Sequence, residues 1–203
     1  MTSNAHIAMS RITRQISAPL CATAASAAVA GIAAGFARYL YRSPVEEAHV
    51  PGTSAWVQHL IVAVFACALY SMARWRRNRR FGPGTRRLLL LAPLGRSAAA
   101  RLRATMRQPS WRSAVALAPL TLIAYSFWRV GEQVTSGLDP NFTVNAWGGP
   151  TYLGAMACHY LDGGLIIAAS ALLLDKILLP VRPGPSAGPW ADAATVTTAG
   201  RKD

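Results

Sequence analysis

Four apolar stretches, each about the length of a membrane-crossing helix, narrow most sharply what this chain can fold into. They run from about Ile16 to Leu40, from Trp56 to Trp75, from Trp111 to about Val130, and from about Tyr152 to Leu174. A spanning helix needs roughly 20 apolar residues, because about 30 Å of hydrocarbon is crossed at about 1.5 Å per residue. Tryptophans bracket the second and third stretches, and that side chain favours the headgroup boundary. Composition agrees: 52% of the 203 residues are apolar and 14% are charged, against about 25% charged in a typical soluble domain. The expected fold is all-α, a polytopic integral membrane protein with four transmembrane helices in a small bundle. Residues 1–15 form an N-terminal segment, 16–180 the membrane domain, and 181–203 a tail rich in proline, glycine and small residues that is expected to be disordered.

The charge is as uneven as the hydrophobicity. The formal net charge is +13, and the segment Arg74 to Arg112 alone carries twelve arginines and no acidic residue. The basicity therefore belongs to one loop, about 76–110, between the second and third helices. Short arginine-rich loops stay cytoplasmic. Both termini then fall in the cytoplasm, and 42–54 and 129–151, each with one arginine and two acidic residues, fall outside. Abundant alanine and arginine with little lysine suggest a high-GC bacterial genome, so a bacterial inner (plasma) membrane is the expected location.

Arg76, Arg77, Arg79, Arg80, Arg86 and Arg87 begin directly at the end of the second span, and "LLLLAPLG" interrupts the basic run. Such a segment suits the inner headgroup layer, where each basic side chain near anionic lipid gains about 1 kcal/mol. A purely topological role is the alternative. Nucleic-acid binding is disfavoured, since only Trp75, Phe81 and Trp111 are available to stack bases, and the two tryptophans suit an interface better.

The first stretch has a rival reading as a cleaved signal peptide, but its apolar run is longer than the usual core of ~7–15 residues. A retained helix also accounts for Thr23, Ala27, Gly31 and Gly35 at every fourth position, with "GIAAG" as a GxxxG pattern. Such a stripe lets helices approach closely, within the chain, between copies, or with other membrane subunits. Gly154, Gly163 and Gly164 play a similar part on the fourth helix. They leave room for a neighbouring helix or a ligand.

Polar residues inside hydrocarbon need a reason, because an aspartate at mid-bilayer is disfavoured by roughly 2.5–3.5 kcal/mol. The fourth stretch holds Cys158, His159 and Asp162, with His159 and Asp162 three apart and thus on one face. Arg129 and Glu132 stand at the outer end of the third. Asp162 can accept a proton from His159 or pair with Arg129. One reading is a proton-handling or cation-binding site; the other is a polar clasp between helices. A second constellation sets His59 against His159 at similar depth, where two imidazoles can ligate haem or another metal. No cofactor is otherwise expected, since the phosphate-loop, HExxH, CxxC and nucleophile-elbow motifs are missing. Cys21, Cys67 and Cys158 read as small buried thiols. The favoured function is a non-enzymatic subunit or accessory protein that binds partner helices or anionic lipid. The alternative is a membrane-embedded proton, ion, small-ligand or haem/metal site on the fourth helix.

Overall fold

The computed structural model describes residues 16–81 and 94–180. The N-terminal segment, Arg86, Arg87, most of "LLLLAPLG" and the tail lie outside the described residues. The described chain is helical, with no strand among those residues. Its helices are α1 (Ala18–Leu40), α2 (Trp56–Phe81), α3 (Arg96–Met106), α4 (Trp111–Ser136), α5 (Pro140–Thr143) and α6 (Tyr152–Ile177). Four of them, α1, α4, α6 and Trp56–Ala73 of α2, are long and apolar enough to cross a membrane. Helix ends and hydrophobic ends differ. Helix α2 continues past Trp75 through the arginines to Phe81, because no breaker precedes Gly82. Helix α4 runs on to Ser136 and stops before Gly137 and the Asp139–Pro140 turn.

Helix α4 is the centre of the bundle. It packs most extensively on α1 and next on α6, and α6 in turn meets α2. The α1–α4 seam is a backbone-to-backbone contact. A Cβ added to Gly31 would overlap the Trp128 carbonyl, one on Gly35 the Glu132 carbonyl, and one on Gly131 the Ala28 carbonyl. Only glycine permits that approach from both sides, the geometry that drives helix pairing where lipid tails compete equally for apolar surface. Across the same seam the Thr135 hydroxyl donates to the Ile32 carbonyl at 2.9 Å.

At the arginine-rich end, Leu102 of α3 packs against a buried cluster of Ala116, Leu174, Ile177 and Leu178. Arg101 of α3 closes the C-terminus of α6. Its guanidinium pairs with the Asp175 carboxylate and donates to the carbonyls of Asp175 (2.7 Å), Leu178 (2.8 Å) and Leu179 (3.2 Å). The Asp175 carbonyl is among the acceptors that a helix end leaves without intrahelical partners, and Leu178 and Leu179 follow directly after the last turn. Arg112 adds a bond to the Ile177 carbonyl at 3.3 Å, and the Leu179 amide donates to the Thr105 hydroxyl at 3.0 Å.

At the opposite end the two connecting loops are stitched together. Asn141 and Asn145, one helical turn apart, each use both ends of the side-chain amide. Asn141 accepts from the Glu47 amide and donates to the Val45 carbonyl, both at 2.8 Å. Asn145 accepts from the Val50 amide at 2.8 Å and donates to the Ala48 carbonyl at 3.4 Å. The Asp139 carboxylate fixes the start of this turn by accepting from the Asn141 amide at 3.0 Å. The loops thus form a roof over the helix ends.

Candidate functional site

Beneath that roof, ionisable side chains from all four long helices line up in one layer. Arg129, Glu132 and Ser136 recur at positions three and four apart and so share a face of α4. Glu132 is buried; its carboxylate pairs with the Arg129 guanidinium, accepts from the Ser136 hydroxyl at 3.3 Å, and lies 4.0 Å from the guanidinium of Arg38 on α1. Both arginines stand over the ring of Phe142, Arg38 at 4.9 Å and Arg129 at 5.7 Å from its centroid. The ring face offers each cation a second, electrostatic contact.

The layer continues into α6. The His159 ring lies 6.3 Å from Phe142, within charge–charge range of Arg129, Glu132, Asp162 and His59. One turn along, Oδ2 of Asp162 is 3.4 Å from Nε2 of His59 on α2. The other ring nitrogen of His59 is 2.8 Å from the Ala55 carbonyl, and the ring rests 5.6 Å from Trp147 of the roof. The belt therefore reads Arg38, Glu132 with Arg129, His159, Asp162, His59. Two guanidiniums balance two carboxylates.

These pairings differ from those suggested by spacing alone. Asp162 is partnered by His59, rather than by His159 or Arg129, and Arg129 is partnered by Glu132 on its own helix. Cys158 is buried against the roof, where a Cβ on Gly148 would meet its sulfur. Cys67, expected to be buried, is exposed, because α2 has a neighbour on one side only. Gly31, Gly35 and Gly154 occupy close approaches; Gly154 faces the Gly148 carbonyl and the Trp56 ring. Gly163 meets Val130 at ordinary contact distance, and Gly164 has no neighbouring atom within 4 Å. His59 and His159 do not face each other as a free pair, since both ring nitrogens of His59 are occupied. Among the described residues no three His, Cys, Asp or Glu side chains are placed to hold a metal ion.

On the basic loop, Arg76 and Arg79 are exposed, with Arg79 over the Trp75 ring at 4.1 Å. The side chains of Arg77 and Arg80, and Arg86 and Arg87 entirely, lie outside what is described. The expectations from sequence did not include Arg38, Phe142, Gly131 or a loop-pairing role for the two asparagines. Gly131 and Thr135 are themselves a small-residue pair four apart, and Asn141 and Asn145 another repeated spacing, so both signals were present in the sequence.

Compared with protein-family models, with curated proteins and with solved structures, the chain matches none.

Proposed function

We propose that this chain is a small multi-pass protein of a bacterial plasma membrane, with both termini cytoplasmic, that acts as a non-enzymatic subunit binding protons at the belt beneath its outer roof. The observation that carries this reading is the layer itself: Arg38, Glu132, Arg129, His159, Asp162 and His59 come from four helices to one level. Ionisable groups within spans are costly, and they pair with one another where they serve proton or ion movement. A mere clasp between two helices would need two of these groups.

The uncovered side of α2 favours a second, compatible reading as an accessory subunit. None of Trp56–Ala73 is buried, and Val57, Leu60, Ile61 and Phe65 are exposed. Helices of a partner would meet the protein there. Anionic lipid would meet Arg76 and Arg79 at the opposite membrane face, beside Trp75.

Infrared difference spectra of the protein in lipid nanodiscs test the belt. Acidification from about pH 8 to about pH 5 spans the histidine range and should change buried carboxyl and imidazole bands. The combined variant His59→Gln, Glu132→Gln, His159→Gln, Asp162→Asn should lose that change. Bands that stay flat in the wild type would reject the reading. Reporter fusions test the orientation: those after Arg80 should report cytoplasm, and those in 43–53 the exterior.

A further inference from the structure

We infer that His59 and Asp162 together hold one proton between Nε2 and Oδ2, and that this proton fastens α2 to the bundle. The inference rests on the proton-binding reading above and assigns one proton a place.

Hydrogen-bond roles force the count. Nδ1 of His59 is 2.8 Å from the Ala55 carbonyl. A backbone carbonyl only accepts, so Nδ1 carries a hydrogen. A neutral imidazole has one N–H, and it is already spent on Ala55. Nε2 would then turn a lone pair toward the carboxylate oxygen 3.4 Å away, acceptor against acceptor. One further proton, on Nε2 or on Oδ2, converts that repulsion into a charge-assisted contact. Among the described residues Asp162 has no other hydrogen-bond partner, so it depends on the same proton.

Other groups around the pair do not supply a substitute. On the roof, the Trp147 ring lies tilted beside His59 but does not titrate. On α6, His159 stands within charge–charge range of both partners, and Cys158 within range of Asp162. On α4, Arg129 and Glu132 neutralise each other. The His59 side chain is 11% exposed and that of Asp162 is 35% exposed, so Asp162 is the more open member of the pair.

The site matters because α2 has little else to hold it. At its start the Ala55 amide donates to the Trp147 carbonyl at 2.7 Å, and Trp56 rests on Gly154. Farther along, only His59, Ala63 and Ala66 are half-buried, a narrow stripe three and four residues apart. When the proton leaves for water, the Nδ1–H bond to Ala55 remains, and a neutral imidazole faces an ionised carboxylate. No covalent bond other than the N–H or O–H changes. The polar tie between α2 and α6 becomes a repulsion, and α2 is released to swing about the roof.

The test uses the full chain in nanodiscs, spin-labelled at Cys67 on the exposed side of α2 and at Leu172→Cys on the exposed side of α6, with Cys21→Ser to limit labelling. Wild type should show a narrow distance distribution at low pH that broadens and lengthens at high pH. The transition should coincide with loss of the shared proton, read as the Nε2 hydrogen of His59 by nitrogen NMR or as the Asp162 carboxyl band by infrared difference. Asp162→Asn keeps a donor for Nε2 in its amide, so its distribution should stay narrow at every pH. Wild-type distances that hold steady while Nε2 loses its hydrogen would overturn the latch. So would a His59 protonated on Nδ1 alone beside an Asp162 carboxylate that is ionised throughout. If the infrared response of the belt persists in either case, proton binding stands and only its placement here falls; if that response is also absent, both fall.

Discussion

Two helix pairs in this bundle are built on opposite principles. The α1–α4 seam brings backbone to backbone through Gly31, Gly35, Gly131 and Ala28, with one hydroxyl-to-carbonyl bond across it. The α2–α6 contact brings few atoms together and relies on His59 with Asp162, plus the roof at Trp147. Lipid tails satisfy apolar side chains as well as a neighbouring helix does, so a pair is held by close packing or by polar contacts. Close packing has no titratable component. A polar contact does, and the helix it holds inherits that sensitivity. One side of the molecule is thus a close-packed frame, and the other is an arm attached chiefly through a polar contact.

The frame should break most completely at its narrowest point. Gly35→Leu drives a side chain into the Glu132 carbonyl, and neither backbone can yield cheaply. A loss of about 3 kcal/mol or more is expected, at the upper end of overpacking effects. Thermal unfolding in detergent and membrane yield measure it. Gly164→Leu is the control on open surface, where a change within about 0.5 kcal/mol is expected. Equal losses at the two positions would remove the distinction between seam and surface.

Next comes the buried carboxylate where the frame meets the belt. Glu132→Leu leaves the Arg129 guanidinium without its partner, and the Ser136 hydroxyl without its acceptor. Removing one member of a buried pair costs about 3–5 kcal/mol; because Arg129 is 33% exposed and recovers some hydration, about 2–3 kcal/mol is the expected loss here. Glu132→Gln should fall by less, since the amide oxygen still accepts. A leucine variant as stable as wild type would show that Glu132 contributes nothing to the frame.

At the arginine-rich end, Arg101→Ala should cost about 2 kcal/mol, since charge-assisted bonds to carbonyls are worth more than neutral ones. Most of this comes from the α6 carbonyls, because Asp175 is largely exposed and an exposed ion pair contributes little. Asp175→Asn should therefore cost much less than Arg101→Ala. Comparable losses would reverse that apportionment.

The helices themselves were legible in the sequence, and α2, α4 and α6 begin at Trp56, Trp111 and Tyr152, where the apolar runs begin. Their far ends were not, since hydrophobicity stops at the membrane while helical bonding continues until a breaker. The polar members Arg129, Glu132, His159 and Asp162 stood out because hydrocarbon makes each conspicuous. Their pairing did not follow from spacing along one helix. Whether Asp162 meets His59 or His159 depends on which helix lies beside α6 and how it is rotated, and no period within α6 carries that information. Arg38 escaped notice among Tyr39, Leu40 and Tyr41, where a terminal arginine looks like an ordinary membrane-interface residue.

The smallest effect should have the opposite sign. Gln133 is buried, and its Oε1 has no hydrogen-bond partner among the described residues. Gly137, one turn later at the C-cap of α4, comes against Tyr152 and Met156, so Gln133 shares the face turned toward α6. An unmet buried acceptor is a standing cost of about 1–3 kcal/mol, and an apolar group of similar shape removes it. Gln133→Met should therefore raise stability by about 1 kcal/mol, read as a higher Tm with the infrared response of the belt unchanged. That result would make the α4–α6 contact resemble the α1–α4 seam, a packed interface apart from the belt. A fall in stability would mean that Oε1 is satisfied in the membrane by water or a bound polar group, which extends the ionisable layer along α4 and moves the boundary between frame and site inward.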